Sequence, residues 1–88
     1  MYSTVLSENA VKQLSKLDKH VAKLLMSWIR KNLDGCSDPY VTGKPLVGDL
    51  KGVWRYRVGR YRILAEIYDD RLIILVIAVG DRKSIYGA

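Results

Sequence analysis

Hydrophobic and polar positions change their period once along this chain, near Gly52. Before it, apolar residues recur every three or four positions. Val11, Leu14 and Leu17 mark one stripe, and Val21, Leu24, Leu25, Trp28, Ile29 and Leu33 mark a second, which is the spacing of helices with one buried face. Ser7 can cap the first helix and Glu8 suits its first turn; Asp18 can cap the second. Gly35 stands where a helix stop is expected. Two helices joined almost without a loop form an antiparallel pair. Residues 2–6 have the composition of a short strand.

After Gly52 the period becomes two, the signature of strands with two unlike faces. Three strands are predicted, over 53–58, 61–68 and 72–79. Gly59-Arg60 fits a two-residue turn between the first two, and Asp69-Asp70 marks the next turn. Residues 36–51 hold both prolines, Pro39 and Pro45, and read as irregular. The expected order is β-α-α-β-β-β: an α+β fold with a two-helix antiparallel hairpin packed on a mainly antiparallel four-stranded sheet.

The turn at Gly59-Arg60 sets a register. Val58 faces Tyr61, Arg57 faces Arg62, Tyr56 faces Ile63 and Arg55 faces Leu64. One face then holds Trp54, Tyr56, Val58, Tyr61, Ile63, Ala65 and Ile67, which suits a core under the helices. The other holds Arg55, Arg57, Arg62, Leu64 and Glu66, and there the arginines face outward. A slip of one residue would drive three guanidinium groups into the core, so the choice is strongly biased. Like charges facing each other across strands destabilise a hairpin. Their retention points to a bound anion, and the interleaved aromatics suggest RNA. The plainer reading is a solvated sheet face with Glu66 offsetting one arginine.

Charge sharpens this picture. The net charge is +6 and the pI is near 9.6. Five bases and no acid fall between Leu50 and Ala65: Lys51, Arg55, Arg57, Arg60 and Arg62. Guanidinium groups suit bidentate phosphate contacts and stacking on bases. At 88 residues with 49% apolar content, the chain reads as one small domain, residues 1–88. The single cysteine, Cys36, leaves no internal disulfide and no cysteine-based zinc site. No metal and no cofactor are expected. The longest apolar run, 72–79, is too short to span a bilayer as a helix. Neither it nor the N-terminus resembles a signal peptide. A cytoplasmic protein without membrane contact is expected. His20, the only histidine, reads as a helix-surface residue. Trp28 and Trp54 read as core.

Three segments carry a resemblance. They are Lys44-Pro45-Leu46 with Gly48-Asp49-Leu50-Lys51-Gly52, then Trp54 to Arg62, then Val79-Gly80-Asp81-Arg82-Lys83 with Tyr86. Together they resemble the RelE family of toxin–antitoxin ribonucleases, within the RelE/ParE superfamily. The resemblance implies a ribosome-dependent endoribonuclease that cuts mRNA in the A site and inhibits translation. In this reaction the ribose 2′-hydroxyl attacks the adjacent phosphate. It implies Arg57, Arg62, Arg82 and Tyr86 as catalytic residues, with Arg62 stabilising transition-state charge, Arg82 in the place of a general acid and Tyr86 stacking on the nucleotide. Lys51, Arg55, Arg57 and Arg60 would bind RNA phosphate.

The resemblance also implies partners: a RelB-like antitoxin in a hetero-oligomer, the ribosome and mRNA. Some relatives carry lysine where this chain has Arg55 and Arg57, and there a lysine is the proposed general base. Arginine is a poor base. Glu66 or Asp81 could replace it, although structural ion pairing is the plainer role for each. The alternative from the same superfamily is a ParE-like gyrase inhibitor without chemistry of its own; an inactive RNA-binding relative is another. The tail from Gly80 to Ala88 is expected to add little to the core.

Overall fold

The structure, a computed structural model, describes residues 1–48 and 52–85. Strand β1 (Ser3–Leu6) leads into helices α1 (Glu8–Lys16) and α2 (Lys19–Asn32). Strands β2 (Gly43–Pro45), β3 (Trp54–Val58), β4 (Tyr61–Tyr68) and β5 (Ile73–Asp81) follow, and a short helix α3 (Arg82–Ile85) ends the described chain. The sheet order is β1-β5-β4-β3-β2. β1 runs parallel to β5, and the other pairs are antiparallel. The α+β class is as expected from the sequence.

The caps are those the sequence predicts. Ser7 Oγ accepts from Ala10 N at 3.0 Å, and Asp18 Oδ1 accepts from His20 N at 2.8 Å. Each satisfies a donor that the first helical turn leaves open. Gly35, at φ +80°, turns the chain away from α2, and its N–H donates to Tyr2 O at 2.7 Å. Leu25 and Ile29 of α2 and Leu33 at its C-cap are buried with Ala10 of α1 against Tyr56, Val58, Ile63, Ala65, Ile74, Val76 and Val79 of the sheet. Trp28 packs beside this core, its ring tilted on Tyr56 at 5.7 Å between centroids. The Tyr56 hydroxyl is held by Pro39 O at 2.6 Å.

Four features differ from the sequence reading. The sheet has a fifth strand: Gly43–Pro45 lies inside the stretch expected to be irregular. It is an outermost strand, where a proline lacking an N–H does no damage. Val11 and Leu24 are about half exposed (50% and 53%) rather than buried, because Ala10 and Leu25 hold the sheet-facing positions next to them. Leu72 leaves the last strand for the turn, at φ 54°. Finally, β5 runs on to Asp81 and the chain then folds into α3, which packs on β5 and β4. The start of the tail is thus tied to the sheet.

β5 also carries a bulge. Leu64 pairs with Ala78, but its neighbour Ala65 pairs with Val76, so Ile77 has no partner on β4. The start of α1 serves the loosened backbone. Ser7 Oγ and Asn9 Nδ2 donate to Ile77 O at 3.2 and 2.9 Å, and Gln13 Oε1 accepts from Val79 N at 2.8 Å. A bulge shifts which side chains face each other beyond it. Here it brings Gly80 opposite Arg62.

Candidate nucleic-acid interface

The face of the sheet away from α1 and α2 holds two short rows at the β2 end. Register places Lys44, Arg55, Leu64 and Ala78 in one row, and Arg57, Arg62 and Gly80 in the next. Both rows follow from the hairpin register read in the sequence, extended on either side by β2 and β5. Gly59, at φ +60°, makes the tight turn that sets this register. Four cations therefore share a small area. Among the described residues, none of Lys44, Arg55 and Arg57 has a carboxylate oxygen within 4 Å. The described ion pairs are Arg60 with Asp81 at 2.6 Å and Arg71 with Asp70 at 3.9 Å.

Arg62 is on the expected face but is not solvated. It is only 4% exposed. Its Nη1 donates to Gly59 O at 3.1 Å and to Tyr61 O at 3.0 Å. The guanidinium is thus folded back onto the turn between β3 and β4. Gly80, opposite it on β5, contributes no side chain. Arg57, in contrast, is exposed, and Arg55 is half-buried. The expectation of an Arg62 facing solvent is corrected here: its guanidinium turns back onto Gly59 O and Tyr61 O of the adjoining turn.

The other residues predicted for the site divide into three groups. Arg60 is held by Asp81, whose carboxyl lies below the usual carboxylate range because the Lys83 N–H and the Arg60 guanidinium both favour its charged form. Arg82 is exposed at the first position of α3, and its N–H donates to Arg60 O at 3.0 Å. It stands at the turn end of the sheet, near Arg62. Lys51 and Tyr86 lie outside the described residues. Of the two carboxylates considered as bases, Asp81 pairs with Arg60, and Glu66 Oε1 accepts the Tyr68 hydroxyl at 2.9 Å. His20 is exposed on α2, across the sheet from the arginines.

Sequence reasoning missed Lys44. It pairs with Arg55 across β2 and β3 and lines a concavity of about 230 Å³ with Val41, Thr42, Gly43, Arg55 and Arg57. Gly43 is what permits the pairing. A Cβ there would come within 2.6 Å of the Trp54 ring and 2.7 Å of Arg55 O. Only glycine lets this strand approach β3 so closely.

Residues 5–86 match the family of ParE toxins of type II toxin-antitoxin systems, parDE. The chain belongs to this toxin family, within the RelE/ParE superfamily. Curated relatives bear RelE-type names. A putative RelE-like toxin protein of Escherichia coli is 30% identical over 84 residues, covering 93% of this chain and 84% of the relative. Toxin RelG of Mycobacterium tuberculosis is 28% identical, covering 97% and 95%. The toxin–antitoxin complex RelBE2 of Mycobacterium tuberculosis contains a chain that superposes with a TM-score of 0.84 at 27% identity, covering 92% of this toxin and 91% of that chain. The intact RelBE complex of Escherichia coli matches with a TM-score of 0.70 at 20% identity, which shows the shared fold. No helix among the described residues of the toxin is long and apolar enough to cross a membrane.

Proposed function

We propose that this RelE-like toxin is an endoribonuclease that cuts mRNA on the ribosome, using the basic face of its sheet. The observation that carries the reading is the pairing of Arg57 with Arg62 beside Arg55 and Lys44. Lys44, Arg55 and Arg57, which no carboxylate among the described residues holds, are matched by a phosphodiester, and guanidinium groups bind its oxygens in pairs. Arg62, held by two carbonyls, is oriented before substrate arrives. Preorganised charge of this kind stabilises the negative charge that grows on a phosphorane-like transition state, and one such donor is typically worth about 10²–10³ in rate. Arg57 closes from the exposed side, and Arg55 orients the neighbouring phosphate. Arg82 stands near the leaving oxygen. Lys51 adds phosphate binding and Tyr86 stacks on a base.

Ribosome dependence follows from what this face lacks. It has no histidine to drive the reaction alone, so in-line geometry must come from the bound mRNA. The same cluster explains the partner. A cognate antitoxin of the RelB type neutralises the toxin by placing acidic and apolar groups over the arginines; the RelBE2 relative is itself a toxin–antitoxin complex. The test is a map of new mRNA 5′ ends in a translating extract, with and without the toxin. Breaks in codon register support the nuclease. Arrested gyrase–DNA complexes without such breaks would make it a ParE-like gyrase inhibitor instead.

A further inference from the structure

We propose that Lys44 is the group that takes the proton from the ribose 2′-hydroxyl, an assignment that rests on the nuclease reading above. The reaction needs a proton acceptor beside the phosphate, and the guanidinium groups cannot supply one because they stay protonated at any physiological pH. Among the described residues, the other candidates are engaged or remote. Asp81 is bound by Arg60 at 2.6 Å and by the Lys83 N–H at 3.0 Å, and its carboxyl is acidified. Glu66 accepts from Tyr68 and lies beyond Leu64 on β4, two residues further from the cluster. His20 is on the opposite side of the sheet.

Lys44 meets the geometric requirement. It is directly opposite Arg55, where side chains on one face start roughly 5 Å apart. It shares the concavity with Arg57, diagonal to it, within reach of a four-carbon side chain. It is exposed, and no carboxylate among the described residues holds it. The close seat of Gly43 on Trp54 fixes the strand that carries it. An amine, unlike a guanidinium, can exist neutral and accept a proton.

In the step, neutral Nζ takes the 2′-hydroxyl proton and becomes an ammonium. The 2′-oxygen forms a bond to phosphorus. The bond from phosphorus to O5′ breaks, and its electron pair leaves on O5′, which takes a proton from water. The ammonium returns its proton to the hydroxide so formed. The products are a 2′,3′-cyclic phosphate and a 5′-hydroxyl, and nothing is oxidised or reduced.

The test compares wild type, Lys44→Arg and Lys44→Ala for single-turnover cleavage on programmed ribosomes across pH. Lys44→Arg keeps the charge and removes the acceptor. Both variants should lose at least about 100-fold, the usual scale of general-base catalysis, and both should lose the limb of the pH–rate profile that rises as an amine deprotonates. Thermal unfolding of each variant should match wild type, since Lys44 is exposed. Converting Lys44→Cys to its aminoethyl thioether, on a Cys36→Ser background, should restore cleavage with that limb moved to lower pH, because this amine is less basic. Cleavage by Lys44→Arg within about threefold of wild type would overturn the assignment and leave Lys44 a mere phosphate contact. A wild-type toxin that makes no break on ribosomes would overturn the nuclease reading itself.

Discussion

Arg57 and Arg62 face each other directly across β3 and β4. One is exposed and the other is 4% exposed, with its Nη1 on two carbonyls of the adjoining turn. The hairpin therefore carries a like-charge pair one step from its turn-closing pair. Such a pair opposes folding by roughly 0.2–1 kcal/mol.

The two arginines should respond differently to substitution. Arg57→Glu should raise stability by a few tenths to about 1 kcal/mol, since it turns a repulsive pair into an attractive one, while cleavage is lost. Arg62→Ala should lower stability by about 1–3 kcal/mol, because it leaves a void and strips the turn carbonyls of their donor. Urea unfolding of the two purified variants checks this. Equal destabilisation by both would mean that the pair is not repulsive.

Gln13 reaches from α1 to hold the bulged strand at Val79 N, 2.8 Å away. Gln13→Ala leaves that N–H without its acceptor and should cost about 1–3 kcal/mol. It should also loosen the placement of Gly80 beside Arg62, so cleavage should fall by more than stability alone explains. Hydrogen exchange at Val79 should speed up selectively. Unchanged exchange there would show that the bulge is held by β4 alone.

Asp69 accepts the hydroxyls of Tyr2 and Tyr40, each at 2.6 Å, and ties the chain start and the loop before β2 to the β4–β5 turn. The two hydroxyls lower the carboxyl of Asp69, and the hydrogen bonds to Asp69 push both tyrosines up to about 12. For the tyrosines, the folded value is raised, so their contribution is whole below pH about 10 and is lost as pH climbs through about 12. For Asp69, the folded value is lowered. Its contribution is present above the ordinary carboxylate value near 4 and is lost as pH falls through the lowered one. Asp69→Asn should flatten both ends of the stability profile and bring tyrosinate absorbance in at lower pH. Two tyrosines that still titrate late in this variant would contradict the assignment.

The hairpin register was legible because the error it excludes is severe: a slip by one residue buries three arginines. The helices were legible from their caps and from Leu25, Ile29 and Leu33, whose spacing fits one face. Other features lacked a signal. β2 is only Gly43–Pro45, too short to show a period of two. Ile73 to Val79 is apolar throughout, so nothing in it marks Ile77 as the bulged residue or Gly80 as the neighbour of Arg62. The burial of Arg62 accompanies the folding of its guanidinium onto Gly59 O and Tyr61 O of the adjoining turn, which the alternation of faces does not encode. Lys44 entered the cluster only through a long-range strand pair.

The proposed nuclease activity resides on the basic face of the sheet. The most direct measurement is the single-turnover rate and product chemistry on mRNA held in the ribosomal A site, for wild type and Arg57→Ala. Wild type should leave 5′-hydroxyl and 2′,3′-cyclic phosphate ends, the folded variant should cut at least about 100-fold more slowly, and the same RNA without ribosomes should be cut very slowly. Equal rates for the two proteins, or equally fast cutting of free RNA, would contradict the proposal.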